Sequence, residues 1–186
     1  EAEAIRVTHS IADATSLALR TPAGTVVHTG DFKIDPHPSD HEHFDRARFQ
    51  ALGDEGVRLL LSDSTNIDSE GQAGSEQGVA ASLARLVEAA RGRVVITLFA
   101  SNTHRLRAVL ELARRSGRKV CWLGRSVQTH ARIGAEVGYL ERADDLIITP
   151  QQAAELPRQR VLLAATGSQA ERASALSRVA HRTHPT

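Results

Sequence analysis

Alternating apolar and polar residues dominate the first third of the chain, and apolar residues at helical spacing dominate the remainder. Ile5 and Val7 alternate with Arg6 and Thr8, which predicts a strand over residues 5 to 9 ending at His9. Two apolar runs come next, Leu17-Ala18-Leu19 and Val26-Val27-His28. The turn signal Pro22-Ala23-Gly24 between them makes this a β-hairpin. Residues 35 to 43, Asp-Pro-His-Pro-Ser-Asp-His-Glu-His, are rich in turn formers and predict a loop. Phe44, Ala47 and Phe49-Gln50-Ala51-Leu52 predict a short helix stopped near Gly53. Val57 to Leu61 reads as a compact buried strand running into Ser62-Asp63-Ser64-Thr65-Asn66.

The polar stretch from Ile67 to Gly74 is the best place for a domain boundary. Beyond it the pattern becomes regular. Ser75-Glu76 before Val79, Leu83, Leu86 and Val87 predicts a capped amphipathic helix to about Arg91, closed by Gly92. A strand at residues 94–98, a helix at 103–115 stopped by Gly117, a strand at 119–123 and a helix at 127–137 come after it. The last part reads as a short strand at Leu146-Ile147-Ile148, a small helix at 151–156 and a buried strand at 160–165, with a frayed end over 181–186. Strands alternating with helices predict an α/β fold with a mainly parallel, doubly wound sheet. No internal repeat or low-complexity segment interrupts it.

Composition narrows the function classes. At 186 residues and 41% hydrophobic, the chain has room for one large or two small globular domains. A formal net charge of +1 gives no global field for nucleic acid, so any RNA contact must come from local clusters. The lone Cys121 excludes an internal disulfide framework and a Cys-rich metal site, and reads as a small buried hydrophobe in a strand. The first residues lack the basic start and apolar run of a signal peptide, and no stretch approaches the ~18 apolar residues of a membrane span. The expectation is a cytoplasmic protein with no membrane partner.

Candidate chemistry lies at strand ends. An imidazole at His9 and a carboxylate at Asp31, on the ends of neighbouring strands, can share a metal, since zinc accepts both donors and a carboxylate can bridge two ions. The alternative is a buried, hydrogen-bonded histidine and a turn aspartate. Asp63 ends a strand in a run of short polar side chains, which serves either a site at a sheet rim or a turn. His37, His41 and His43 lie in a Pro/Ser/Asp loop without the rigid frame that chelation needs, so no metal role is expected of them. Phe99 to Arg105 joins a strand to a helix N-terminus, where backbone N–H groups, Ser101, Asn102, His104 and Arg105 can converge on an anion such as phosphate. A plain N-cap by Ser101 or Asn102 is the alternative. Thr166-Gly167-Ser168-Gln169 is a second loop of this kind, with Gly167 allowing close backbone approach. Both loops come after strands, so in a parallel sheet they face the same crevice.

The segments Thr8-His9-Ser10-Ile11-Ala12-Asp13 and Thr21-Pro22-Ala23-Gly24-Thr25-Val26-Val27-His28-Thr29-Gly30-Asp31-Phe32-Lys33 resemble the third and fourth metal-binding motifs of the metallo-β-lactamase superfamily, in the form carried by the ribonuclease J family. The resemblance implies that His9 binds one zinc and that Asp31 bridges two. Leu61-Ser62-Asp63-Ser64-Thr65-Asn66 resembles motif A of the β-CASP branch, which implies that Asp63 sits beside the metal centre and, with Asp31, serves catalysis. Residues 97–105 and 165–169 resemble β-CASP segments that contact RNA near its 5′ phosphate, and Gly124-Arg125-Ser126 matches a further segment. Ser101, Asn102, His104, Arg105, Gly167, Ser168 and Gln169 are thereby implied as RNA contacts. The chain departs from the family at Ala12, Ala14 and Ala170-Glu171-Arg172, which touch loop shape more than ligand identity.

The fold implied is part of a metallo-β-lactamase αββα domain over residues 1–70, followed by an α/β β-CASP domain with a mainly parallel sheet over residues 71–186, incomplete at its C-terminal end. The function implied is a metal-dependent ribonuclease, both 5′-to-3′ exoribonuclease and endoribonuclease, with two Zn2+ per active site and Mn2+ or Mg2+ as alternatives. Its partner is single-stranded, 5′-monophosphorylated RNA, and the full-length parent is a homodimer or homotetramer. The family's His-x-His-x-Asp-His string is absent here. The expectation is therefore an internal piece of a longer enzyme, inactive alone. Two alternatives stand beside it: a non-catalytic RNA 5′-phosphate-binding module, and an unrelated α/β domain whose histidines are structural.

Overall fold

A computed structural model of the chain describes residues 1–71 and 73–184. The chain divides into two compact units, Glu1–Val79 and Ala80–Thr186.

The first unit is built on a four-stranded sheet in the order β1 (Ala2–Arg6), β2 (Thr15–Thr21), β3 (Gly24–His28) and β4 (Leu59–Leu61). The predicted hairpin forms, with Leu19 opposite Val26 and only Pro22 and Ala23 between the strands. Gly24 takes φ +121°, and a Cβ there would stand 2.8 Å from Cβ of Arg58 on the chain leading into β4. Glycine is what lets β3 approach so closely. β4 joins β3 in parallel, so β1, β3 and β4 all run in one direction and deliver their ends to one edge.

Period-two alternation divides this sheet into two unlike faces. Ile5, Ala18 and Val27 pack on Leu52 and Phe49 of α1 (Arg46–Glu55) to make a small core. Above it, Glu3 is gripped by Arg20 and Arg48, and Glu55 pairs with the same two arginines. The other face carries Leu17, Leu19, Leu59 and Leu61, all exposed.

Three expectations change in this unit. The first strand starts at Ala2 and ends at Arg6, because pairing of Ala2 with Leu19 extends it backwards and His9 falls in the irregular segment after it, ahead of the turn at residues 12–13. α1 runs through Gly53 to Glu55, held by the Arg48–Glu55 pair, and Gly56 at φ +97° closes it. The strand expected to be buried over residues 57–61 is instead three residues long, with Leu59, Leu60 and Leu61 at 49%, 57% and 46% exposure. It sits at the sheet edge, and pairing on one side alone cannot cover it.

The second unit holds a three-stranded, wholly parallel sheet in the order β5 (Val94–Thr97), β7 (Val161–Ala165), β6 (Lys119–Leu123). Alternate residues feed two cores. Val120, Trp122, Leu162 and Ala164 face α2 (Glu76–Ala89), α3 (Thr103–Ser116) and α4 (Arg125–Glu136), while Cys121, Leu123, Val161, Leu163 and Ala165 face α5 (Pro150–Glu155) and α6 (Ala175–Ala180). This is the doubly wound arrangement the alternation predicts. α3 starts at an Asn102 cap and stops at Gly117 in the left-handed region. Thr149 and Gln152 form a reciprocal capping box on α5. Cys121 is fully buried, and burial raises its thiol to about 11. Arg118 is 4% exposed, and its guanidinium donates to Val87, Ala90, Gly92 and Val161 carbonyls at 2.6–3.5 Å.

Leu146-Ile147-Ile148 does not become a strand; Ile147 makes one isolated bridge to Val120, too short to extend the sheet. Near the C-terminal end, Thr183 folds back on the Arg178 carbonyl through its amide and hydroxyl, which ties down the start of the segment expected to fray from residue 181. Pro185 and Thr186 lie outside the described residues. No helix among the described residues is long and apolar enough to cross a membrane.

Candidate active site and nucleic-acid interface

The parallel course of β1, β3 and β4 brings three sequence-predicted side chains to one rim of the first sheet. His9 comes after β1, Asp31 after β3 and Asp63 after β4. Nε2 of His9 lies 3.9 Å from Oδ2 of Asp31, with the side chains 32% and 82% exposed. That spacing leaves both groups open to a third party. Ser10 Oγ lies 3.4 Å from the same imidazole nitrogen.

Asp63 is more firmly held. Its amide donates to Thr29 Oγ1 at 3.0 Å, one carboxylate oxygen accepts from the Thr65 amide and hydroxyl, and the other accepts from the Phe32 amide at 3.4 Å. The Thr65 hydroxyl and amide, with the Phe32 amide and nearby His9, hold this carboxyl below the usual range against the opposing effect of burial. Asp63 is thus ionised, and its tie to Phe32 braces the residue next to Asp31.

Zinc takes about four ligands from nitrogen, sulfur and oxygen donors. His9 and Asp31 offer the right donor types, though their strands are not the neighbours expected, since β2 lies between β1 and β3; among the described residues no group of three or more His, Cys, Asp or Glu is arranged to hold a metal ion. These residues alone do not fit a closed two-zinc centre. His37, His41 and His43 lie in the loop before α1.

One residue that sequence reasoning left in a loop proves to be built into this rim. Asp35 is 3% exposed. Its carboxylate accepts the His37 amide at 2.9 Å and the Glu76 amide, at the start of α2, at 3.0 Å, and pairs with Lys33 Nζ at 3.3 Å. Burial pushes Asp35 up, but the two amides and the Lys33 ammonium outweigh it and hold the carboxyl below its ordinary value.

In the second unit, the parallel sheet sends three loops to one edge: Phe99 to Asn102 after β5, Gly124 to Ser126 after β6, and Thr166 to Gln169 after β7. Asn102 Oδ1 accepts the Arg105 amide at 2.9 Å, so its oxygen caps α3. Ser101 is exposed, whereas His104 is buried in the first turn of α3 and Arg105 is half-buried beside it. Gly167 has φ +125°, and a Cβ there would stand 2.6 Å from Ser174 Oγ. Only glycine permits that turn, which leaves Ser168 and Gln169 exposed at the rim. Ala175 and Leu176 donate back to the Thr166 hydroxyl and carbonyl, fixing the loop to α6. A Cβ at Gly124 would lie 3.2 Å from Thr166 Oγ1, so two of the three loops are neighbours. The arrangement offers hydroxyl, amide and backbone donors at one sheet edge, which suits an anionic ligand.

Comparison with known proteins gives the family. The solved structure of a protein of unknown function from Enterococcus faecalis V583 overlays with a TM-score of 0.59, covering 88% of this chain and 40% of that one, at 20% identity, a likeness of fold. Ribonuclease J of Thermus thermophilus is 44% identical over 179 residues, 96% of this chain and 31% of that protein. Ribonuclease J of a Synechocystis species is 45% identical over 186 residues, 98% of this chain and 29% of that protein. The chain thus spans about a third of the length of these curated relatives. Residues 91–186 match the model for the ribonuclease J β-CASP domain, more than half of the chain, and with the relatives this establishes that the chain belongs to the ribonuclease J family.

Proposed function

We propose that the protein carrying this chain is a metal-dependent ribonuclease that cleaves single-stranded, 5′-monophosphorylated RNA as a 5′-to-3′ exoribonuclease and an endoribonuclease. The observation that supports this most is the approach of His9 and Asp31 at a rim shared with Asp63, on a chain of this family. When bound, a pair of Zn2+ ions, or Mn2+ or Mg2+ in their place, supplies an activated water and charge stabilisation at the scissile phosphate. His9 and Asp31 give the metal centre two of its ligands, and the rest come from sequence outside this chain. Asp63 keeps the Phe32 backbone, and so Asp31, in place. The exposed apolar face of the first sheet is where the remainder of a metallo-β-lactamase αββα domain packs, and residues 71–186 form the β-CASP domain.

The second unit holds the RNA. Ser101, Asn102, His104, Arg105 and the Gly167-Ser168-Gln169 loop receive the 5′ phosphate and set the strand in register. The full-length protein works in the cytoplasm as a homodimer or homotetramer.

The test has two arms. The full-length protein should degrade 5′-monophosphorylated RNA in a metal-dependent reaction, with His9→Ala losing at least ~100-fold in rate, the upper end of what loss of a mere outer-shell partner costs at metal sites. The 186-residue chain should be inactive; robust RNase activity of that chain, lost in His9→Ala, would overturn this reading. A second reading, a non-catalytic 5′-phosphate-binding module, draws on the convergence of three loops at one edge of a sheet with its own two-sided core. Tighter binding of 5′-phosphorylated than 5′-hydroxyl oligonucleotides by a full-length protein without metal-dependent cleavage would favour it.

A further inference from the structure

We propose that Asp35 is a positioning residue for the His9 and Asp31 pair, acting through Lys33 and Thr8; this rests on the reading of that pair as the chain's share of the active site. Asp31 is mostly exposed, so its place against His9 depends on the backbone that carries it. Two residues beyond it, Lys33 is bound to Thr8, the residue before His9, in both directions. The Lys33 amide donates to the Thr8 carbonyl at 2.8 Å, and the Thr8 hydroxyl donates to the Lys33 carbonyl. The same hydroxyl accepts the Asp35 amide at 3.2 Å.

Asp35 anchors that clasp from behind. Its buried carboxylate holds the Lys33 ammonium and the Glu76 amide, and Lys33 Nζ reaches on to Glu76 Oε1 at 3.3 Å and to the Gly74 carbonyl at 3.4 Å. The segment from Lys33 to Asp35 is therefore fixed on one side to the strand leading to His9 and on the other to the start of α2. A buried carboxylate with three charge-assisted or amide partners holds its geometry more tightly than an exposed pair can. Loss of that anchor releases the backbone carrying Asp31, and the His9–Asp31 spacing with it.

The experiment reads the His9 imidazole by nitrogen–proton correlation NMR of the 186-residue chain at fixed pH, in wild type, Asp31→Asn, Asp35→Asn, Thr8→Val and Asp45→Ala. Asp31→Asn sets the signal of a histidine without its carboxylate neighbour. Asp35→Asn should move the His9 signal most of the way to that position, and Thr8→Val should move it in the same direction by less. Asp45→Ala removes the N-cap of α1, and should lower the melting temperature with the His9 signal unmoved. An unmoved His9 in a folded Asp35→Asn or Thr8→Val chain overturns the proposal and leaves Asp35 a helix cap. Should Asp35→Asn fail to fold, Thr8→Val decides alone. An unmoved His9 in Asp31→Asn overturns the pairing and the proposal together. Zn2+ added to the metal-free full-length protein tests the metal reading separately: a His9 signal indifferent to Zn2+ there counts against that reading, while the ring comparison still decides positioning.

Discussion

The second unit buries both faces of its sheet, Val120 and Trp122 on one side and Cys121 and Leu123 on the other, whereas the first buries one face and leaves four leucines of the other in water. The two sheets also differ in what ties them together. The first relies on charge: Glu3, Asp35, Glu55 and Asp63 are all held below the ordinary carboxylate range by arginine, lysine, amide or hydroxyl partners. The second relies on apolar contact between strands and helices on two sides. A sheet packed on both faces carries its own stability, while a sheet packed on one face is held by polar ties at its margins and remains receptive to another layer.

The largest expected effect comes from the centre of the second unit. Leu163→Ala, on the middle strand β7, should cost ~2–5 kcal/mol, the range for a buried leucine that leaves a cavity. Denaturant unfolding with amide exchange along β7 measures it, and a loss near that of a surface change would erase the contrast between the units. The intermediate effect is one of pH. Glu3 is held at about 2 by its bonds to Arg48 and then Arg20, against an ordinary 4.5. A carboxyl with a depressed folded-state pKa stabilises fully above its unfolded value, and that contribution disappears as pH falls through the folded one. Between about 4.5 and 2, amide protection in β1 to β3 should therefore fall before that in β5 to β7. Simultaneous loss in both units would count against charge as the tie of the first. The smallest effect is Leu61→Ala on β4, which should stay within about 0.5 kcal/mol of wild type, as exposed substitutions do. A loss as large as that of Leu163→Ala would mean that this face is covered after all.

How far the sequence disclosed this architecture follows the same contrast. α3 was legible from end to end, because its cap, its apolar stripe and its Gly117 stop are local signals. The hairpin was legible too, since Pro22-Ala23-Gly24 marks the turn between two alternating runs. Leu59-Leu60-Leu61 misled, because three consecutive leucines report a demand for burial and not whether a neighbour meets it. Leu146-Ile147-Ile148 misled for a related reason: an apolar triplet can fill a core without bonding into a ladder. At the rim, residue type and position near strand ends made His9, Asp31 and Asp63 candidates and left a buried histidine and turn aspartates as alternatives; the family resemblance implied their roles. Asp35 was not a candidate, because a buried aspartate and a loop aspartate are written with the same letter, and only the tertiary fold brings Lys33 and the start of α2 to it.

Arg118 carries a consequence for register. Its guanidinium sits in the interior among carbonyls alone, three of them at or just beyond the end of α2 and one at the start of β7. Those oxygens converge only when α2 stops where it does, since the helix dipole gathers its negative end there. A slip of the helix by a single residue would rotate its last carbonyls away and strand a full positive charge in a dry core. Arg118 thereby acts as a gauge block for assembly, tolerating one seating of helix against strand and penalising the near misses that apolar packing alone would accept.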